Sequence, residues 1–394
     1  MNINSMKKKD RSALVEFVRN NSTDIDKLPN SFKDHFNESS INTITIDEWI
    51  ELYRLNHKLI TLDLRSESEF LDDKLPNAIN FPILNNDERD EVGFLYKQFS
   101  PKAALFLALK YADKKEKELK NIVDNYHGNT IFVYCWRGGG RSTAGYSYLK
   151  KYGADVVKIE GGYKAYRSKI FEQLYLQSNS KIKNGLIILT GLTGCGKTEI
   201  LEKISSDYPV LDIEKAAGHA SSLFGHIRYE LKSNSIPLSQ SQFENNLFTQ
   251  IISSNKSPYP FLSEGESKKI SKFNIPDPFY QQMLLSPTIK INSLIELRIE
   301  RIRNEYFSGN GVESVYSTVE RSAFFKKLLG SKKVSELLEL LNSGRYEEFI
   351  KWILVEYYDK RYAGKYKNIV AEIDNRNTDD TIEDIISIIH QFKK

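Results

Sequence analysis

Two glycine-rich loops carry the residues able to do chemistry, and each holds one of the chain's two cysteines. The first reads YCWRGGGRS, from Tyr134 to Ser142. Gly138, Gly139 and Gly140 have no Cβ, so the chain there can curl with its N–H groups inward and receive an anion. Arg137 and Arg141 flank the glycines. Glycine N–H groups, arginines and the start of a helix are the surroundings that make a cysteine a nucleophile, which singles out Cys135. Without them a free cysteine is more often a core residue. The second loop reads GLTGCGKT, from Gly191 to Thr198, and fits the phosphate-binding pattern G-x-x-x-x-G-K-[ST]. Gly191, Gly194 and Gly196 let backbone N–H groups cradle a diphosphate, Lys197 neutralises its oxygens, and Thr198 is the natural magnesium ligand. Cys195 lies inside this loop, where its backbone matters more than its thiol. Asp212, at the end of the apolar run YPVLD, is the candidate for a second magnesium contact. The pattern leaves the identity of the diphosphate open, with a nucleotide as the default.

Each loop needs a strand before it and a helix after it, and the sequence supplies both. LITLDL, KLPNAINFPI, TIFVYC and DVVKIEGG read as strands separated by helical stretches, the longest being PKAALFLALKYADKKEKELKNIVDNY. Strands alternating with helices imply a parallel sheet covered on both faces. TIFVYC then places Cys135 at the carboxyl end of a strand, where open α/β sheets gather ligands. After the polar linker SNSKIKN, GLIILTG leads into the second loop and EILEKI follows as its helix, opening a second α/β unit. The tail from about residue 290 is expected to be mainly helical, on the spacing of IELRIERIRNEYF and KVSELLELL.

Length and composition set the outer bounds. The chain has 394 residues, enough for two or three self-sufficient cores. No run of about 18 apolar residues suggests a membrane span, and the start lacks a secretory pattern, so a cytoplasmic location without membrane association is expected. Two cysteines in glycine loops are no disulfide framework. A formal net charge of +4 permits a polyanionic partner only through a local basic patch. The division expected is an N-terminal extension over 1–40, an α/β domain over 41–175, a P-loop domain over 176–290 and a helical part over 291–394 packed on it.

The first domain resembles the rhodanese superfamily. LDLRSESEF followed by KLPNAINFP is similar to that family's upstream signature, with Asp63, Arg65 and Glu69 in the usual places, and EGGYKAYR to its closing motif. Five residues separate Cys135 from Arg141, where common sulfurtransferase loops have four. Related phosphatases also have the longer loop, so spacing alone leaves chalcogen transfer and phosphate-ester chemistry open. The pairing with GLTGCGKTE, together with LDIEKAAGHASSLFG, QFENNL and SEGESKKI, resembles the tRNA 2-selenouridine synthase family from about residue 45 to 285. Gly140 departs from it, standing where that family usually carries methionine.

The resemblance implies an α/β fold with a rhodanese-like parallel-sheet domain followed by a P-loop NTPase-like domain. It implies a transferase acting on the anticodon arm of tRNA bearing 2-thiouridine at the wobble position. Geranyl diphosphate, held at the P-loop, would alkylate the sulfur, and selenophosphate would then replace geranyl thiol with selenium. Lys197 would serve the first step and Cys135 the second, with Arg137 and Arg141 on the phosphate-like group. Both small molecules are substrates, no tightly bound cofactor is expected, and magnesium is the ion that would accompany the diphosphate. His219, Lys268 and Lys269 are tRNA-contact candidates from segments that resemble the family. Arg298, Arg301 and Arg303 are candidates because they share one basic helix that could meet the RNA backbone. The rival readings are an ATP-dependent persulfide sulfurtransferase acting on tRNA, a non-catalytic RNA-binding module, and a phosphatase fused to a kinase.

Overall fold

A computed structural model describes residues 11–29, 41–176, 185–220, 222–227, 239–254, 257–307, 309, 311–361 and 364–393. The linker SNSKIKN lies outside the described residues, as does much of the N-terminal extension. The chain divides into two compact units, Met1–Lys169 and Ile170–Lys394.

The first unit is built on a parallel sheet of β1 (Thr43–Ile44), β2 (Ile60–Asp63), β3 (Ile79–Asn80), β4 (Thr130–Tyr134) and β5 (Asp155–Ile159), in the order β1-β5-β4-β2-β3. The central strand, β4, is buried from Ile131 to Tyr134, as a strand covered on both faces must be. Leu62, Leu64, Ile131, Val133, Leu149 and Val156 form the core under its helices. Helix α1 (Gly140–Lys151) follows β4 through the first loop, and α2 (Gly162–Tyr175) follows β5. The long stretch from Pro101 makes two helices, Pro101–Lys114 and Glu116–Asn125.

The second unit has the parallel order β12-β11-β6-β8-β7, with β6 (Leu186–Thr190), β7 (Val210–Leu211), β8 (Phe261–Glu264), β11 (Thr288–Asn292) and β12 (Ile369–Asp374). A small antiparallel pair, β9 (Lys269–Ile270) and β10 (Phe273–Asn274), stands apart from it. All five residues of β6 are buried, and it delivers the second loop to α3 (Lys197–Ile204). The tail is helical from α4 (Ile295–Tyr306) onward, yet it returns to the sheet as β12. That edge strand has mostly exposed positions and lacks the apolar run that marks a buried strand, so a helical tail is what the sequence pattern predicts. Within the tail the helix widens to a π-helical stretch over Ile353–Tyr358, a distortion frequent at functional sites. No helix among the described residues is long and apolar enough to cross a membrane.

Candidate active site

Cys135 leaves the carboxyl end of β4 and is 4% exposed. Its Sγ lies 3.3 Å from the Ser142 hydroxyl and 3.8 Å from the Gly139 carbonyl, to which a thiol can donate. That same carbonyl accepts from the Ser142 hydroxyl at 2.9 Å and from the Thr143 N–H at 3.1 Å. Gly139 is thus the N-cap of α1 and turns its carbonyl, not its N–H, toward the thiol. Gly138 has φ +67°, and a Cβ there would stand 3.0 Å from the Gly161 nitrogen, so the turn needs glycine.

The upstream motif supports this loop from the side. Arg65 and Asp63 form a fully buried pair, with Nη2 to Oδ2 at 2.6 Å. Glu69 bonds the Ser66 N–H in a capping box and forks onto Arg141, with Arg89 3.3 Å away. Burial raises the Glu69 carboxyl, but the hydrogen bond and charge of Arg141, the Ser66 N–H and Arg89 outweigh it and hold it down at about 2. Arg141 is therefore engaged. Arg137 is exposed and has no side-chain partner among the described residues, which leaves it as the loop's available cation.

In the second loop three consecutive carbonyls are held by side chains from the tail. Arg298 Nε donates to Thr193 O at 2.8 Å, Arg301 Nη1 to Gly194 O at 3.4 Å, and Asn375 Nδ2 to Cys195 O at 2.9 Å. These bonds fix the carbonyl side of the loop, while the Cys195 N–H closes its turn on the Leu192 carbonyl at 3.2 Å. Gly196, at φ +96°, would place a Cβ 2.4 Å from Asn375 Nδ2. Lys197 Nζ folds back on the Gly191 carbonyl at 2.9 Å. Burial lowers the Lys197 ammonium, yet its Coulombic interactions with Cys195, Glu264, Glu266 and Glu214 raise it overall.

Glu264, which the motifs do not single out, stands at the centre of this chemistry. It ends β8, the strand beside β6, and pairs in register with Leu189, one residue short of the end of β6. Glu264 is 1% exposed, and its Oε1 is buried with no hydrogen-bond partner among the described residues. Burial and the charges of Glu214, Asp212 and Glu266 push its carboxyl well above the usual range, against the pull of Lys197. The ligand atoms of Glu214, Glu264 and Glu266 lie within 4.8 Å of one another, close enough to hold one cation. Asp212 directly follows β7, one strand farther out, and its Oδ1 accepts from the Lys215 N–H at 2.7 Å as a helix cap. The position beside the P-loop belongs to Glu264 because β8 inserts between β6 and β7, which no local pattern announces.

A cavity of about 900 Å³ opens from the second loop. Its polar lining includes the loop, Thr198 and the three glutamates. Its apolar lining comes from one cluster, with Ile302 close to the loop at Gly194 and Phe224, Phe349, Ile350, Ile353 and Leu354 from the helical tail and the segment before it. Arg301, Arg361 and Lys365 stand on its lining.

The tRNA-contact candidates do not form one face. Arg298 is 4% exposed, forks onto Asp359 at 2.7 and 2.9 Å and serves the P-loop, so the structure removes it from any RNA surface. Arg301 is half-buried at the cavity, with Ser293 Oγ at 2.9 Å. Arg303 is exposed and paired with Glu347 at 3.0 Å. The cause is helical periodicity: Arg301, three residues on, shares the face of Arg298 that meets the P-loop, whereas Arg303, five residues on, lies on another face of α4. His219 is half-buried, and burial together with His226 lowers its imidazole, so it offers no cation to a phosphate. Lys268 is exposed beside Asp277 at 2.5 Å, and Lys269 is exposed on β9.

Comparisons with known proteins fall on both units. The profile described as the tRNA 2-selenouridine synthase AAA domain matches residues 184–392, and that of the rhodanese-like domain matches residues 48–169. A tRNA 2-selenouridine synthase of Nitrosomonas europaea is 34% identical over 269 residues, covering 67% of this chain and 67% of that one. One from Psychromonas ingrahamii is 28% identical over 366 residues, covering 86% of this chain and 97% of that one. One from Pseudomonas syringae pv. tomato is 30% identical over 341 residues, covering 79% and 90%.

Proposed function

Because the chain belongs to the tRNA 2-selenouridine synthase family, we propose that it converts wobble 2-thiouridine in tRNA to 2-selenouridine through an S-geranyl intermediate, using geranyl diphosphate and selenophosphate. The observation that carries this reading is the cavity whose lining joins the diphosphate loop to one cluster of aliphatic and aromatic side chains. A nucleoside asks for hydrogen-bonding edges around its base and ribose, whereas a prenyl chain asks for what Phe224, Ile302, Phe349 and Leu354 provide. Burying such a chain contributes about 0.8 kcal/mol per methylene, and the diphosphate end fixes its direction.

In the first step the thiouridine sulfur attacks the prenyl C1, the C1–O bond breaks, and diphosphate leaves with its charge met by Lys197 and the loop N–H groups. Thr198 and the carboxylates of Glu214, Glu264 and Glu266 would hold magnesium, and the orphaned Glu264 oxygen suits a cation there. When bound, the ion would neutralise the departing diphosphate. In the second step selenium from selenophosphate replaces geranyl thiol at C2, and hydrolysis of the Se–P bond releases phosphate. Cys135 is assigned to the selenium and Arg137 to the phosphate-like group.

The test is mass spectrometry of wobble nucleosides after incubating the protein with thiolated tRNA, geranyl diphosphate and selenophosphate. A geranylated and then a selenated nucleoside is expected. ATP hydrolysis coupled to sulfur transfer, with no geranylated nucleoside, would replace this reading by the persulfide sulfurtransferase.

A further inference from the structure

We propose that Trp136 is the stacking platform for an unstacked base of the RNA substrate and presents that base to Cys135, an inference that rests on the reading of the first loop as the selenation site. Trp136 directly follows the thiol-bearing residue and is 41% exposed, whereas Trp49 is fully buried. Its ring is held in place. One side lies against Tyr163, with centroids 5.3 Å apart at 37°, and the Arg65 guanidinium sits 4.1 Å from the Tyr163 ring and 6.0 Å from that of Trp136. Tyr163 donates its hydroxyl to Asp73 at 2.7 Å, and Arg65 is locked on Asp63, so the support beneath the indole is buried and hydrogen-bonded.

The backbone is fixed as well. The carbonyls of Cys135 and Trp136 accept from the N–H groups of Tyr163 and Lys164, both at 2.9 Å, which clamps the start of the loop onto the first turn of α2. Two exposed cations lie next to Trp136 along the backbone, Arg137 directly after it and Lys164, whose N–H bonds its carbonyl, and their side chains have no partner among the described residues. A rigid aromatic face with unpaired cations beside it is how proteins hold single-stranded nucleic acid, the base on the ring and the phosphates on the charges. A small phosphate-like donor uses N–H groups and arginine but has no use for an indole face. Because consecutive Cα atoms are about 3.8 Å apart, a base stacked on Trp136 is held at the loop that carries the thiol.

The experiment titrates the full chain, as wild type, Trp136→Phe and Trp136→Leu, with two RNA stem-loops while following tryptophan emission. One stem-loop carries 2-thiouridine in its loop; the other is abasic at that position and otherwise identical. Neither geranyl diphosphate nor selenophosphate is present. The thiouridine stem-loop should quench a component of the emission that is missing from Trp136→Phe. Its affinity should fall roughly 5- to 150-fold in Trp136→Leu and largely recover in Trp136→Phe, and the abasic stem-loop should bind wild type as weakly as the thiouridine one binds the leucine variant. Equal affinities for wild type and Trp136→Leu, or for the two stem-loops, overturn the proposal. So does quenching by inorganic phosphate alone, which would make the indole a cover for the anion loop. Quenching by the stem-loop without any selenated product in the full reaction would sink the functional reading and leave the platform standing.

Discussion

Replacing Arg298 by methionine separates the two roles open to that residue. In the structure it is a buried strut, bonding the Thr193 carbonyl of the P-loop and forking onto Asp359, just beyond the π-helical wall of the cavity. Methionine keeps the aliphatic stem and removes every one of those bonds. Breaking a fully buried ion pair costs ~3–5 kcal/mol. Asp359 retains 25% of its side-chain exposure, so water partly compensates the carboxylate left behind and the loss should be about 2–3 kcal/mol. For a unit of this size that lowers Tm by roughly 4–12 °C. Scanning calorimetry reads the transition, and the double variant Arg298→Met/Asp359→Asn should regain part of the loss, since no unpaired charge then remains. Binding of inorganic pyrophosphate should weaken because the loop loses a carbonyl tether. Affinity for tRNA should keep its salt dependence. A variant with wild-type Tm whose log–log salt slope for tRNA drops by about one would refute the reasoning and return Arg298 to the RNA backbone.

The two loops serve separable steps, so Lys197→Ala should abolish geranylation yet recover some selenation on pre-geranylated tRNA, while Cys135→Ser should accumulate the geranylated nucleoside; equal loss of geranylation in both would mean one composite site. Ile353→Trp, in the apolar cluster on the cavity lining, should weaken geranyl diphosphate at least tenfold and spare inorganic pyrophosphate by calorimetry, and parallel weakening of both would place the prenyl chain elsewhere. Glu69 is held at about 2, below its ordinary value of 4.5, so its contribution to stability is present above 4.5 and lost as pH falls through about 2. Unfolding of Glu69→Gln against wild type should therefore show a deficit at neutral pH that closes over that window, and a pH-independent deficit would argue against the Arg141 pairing as its source.

What the sequence by itself determined is local. A run of β-branched residues, a glycine turn and a following helix are written within about 20 residues each. TIFVYC with Arg137 to Arg141, and LIILT with GLTGCGKT, therefore specify both loops, both strands and the α/β class. Position along the chain could not disclose which distant segments meet. Glu264 flanks the P-loop because β8, not the nearer β7, pairs with β6. Asp212 is left capping a short helix for the same reason. The carbonyls of Thr193, Gly194 and Cys195 are turned outward by side chains more than 100 residues away. Arg298, Arg301 and Arg303 look alike as letters, and only the packing of α4 buries the first, sets the second on the cavity and leaves the third exposed. Strand order and helix rotation are set by burial of apolar surface summed over a whole unit, a quantity that no short window of sequence contains.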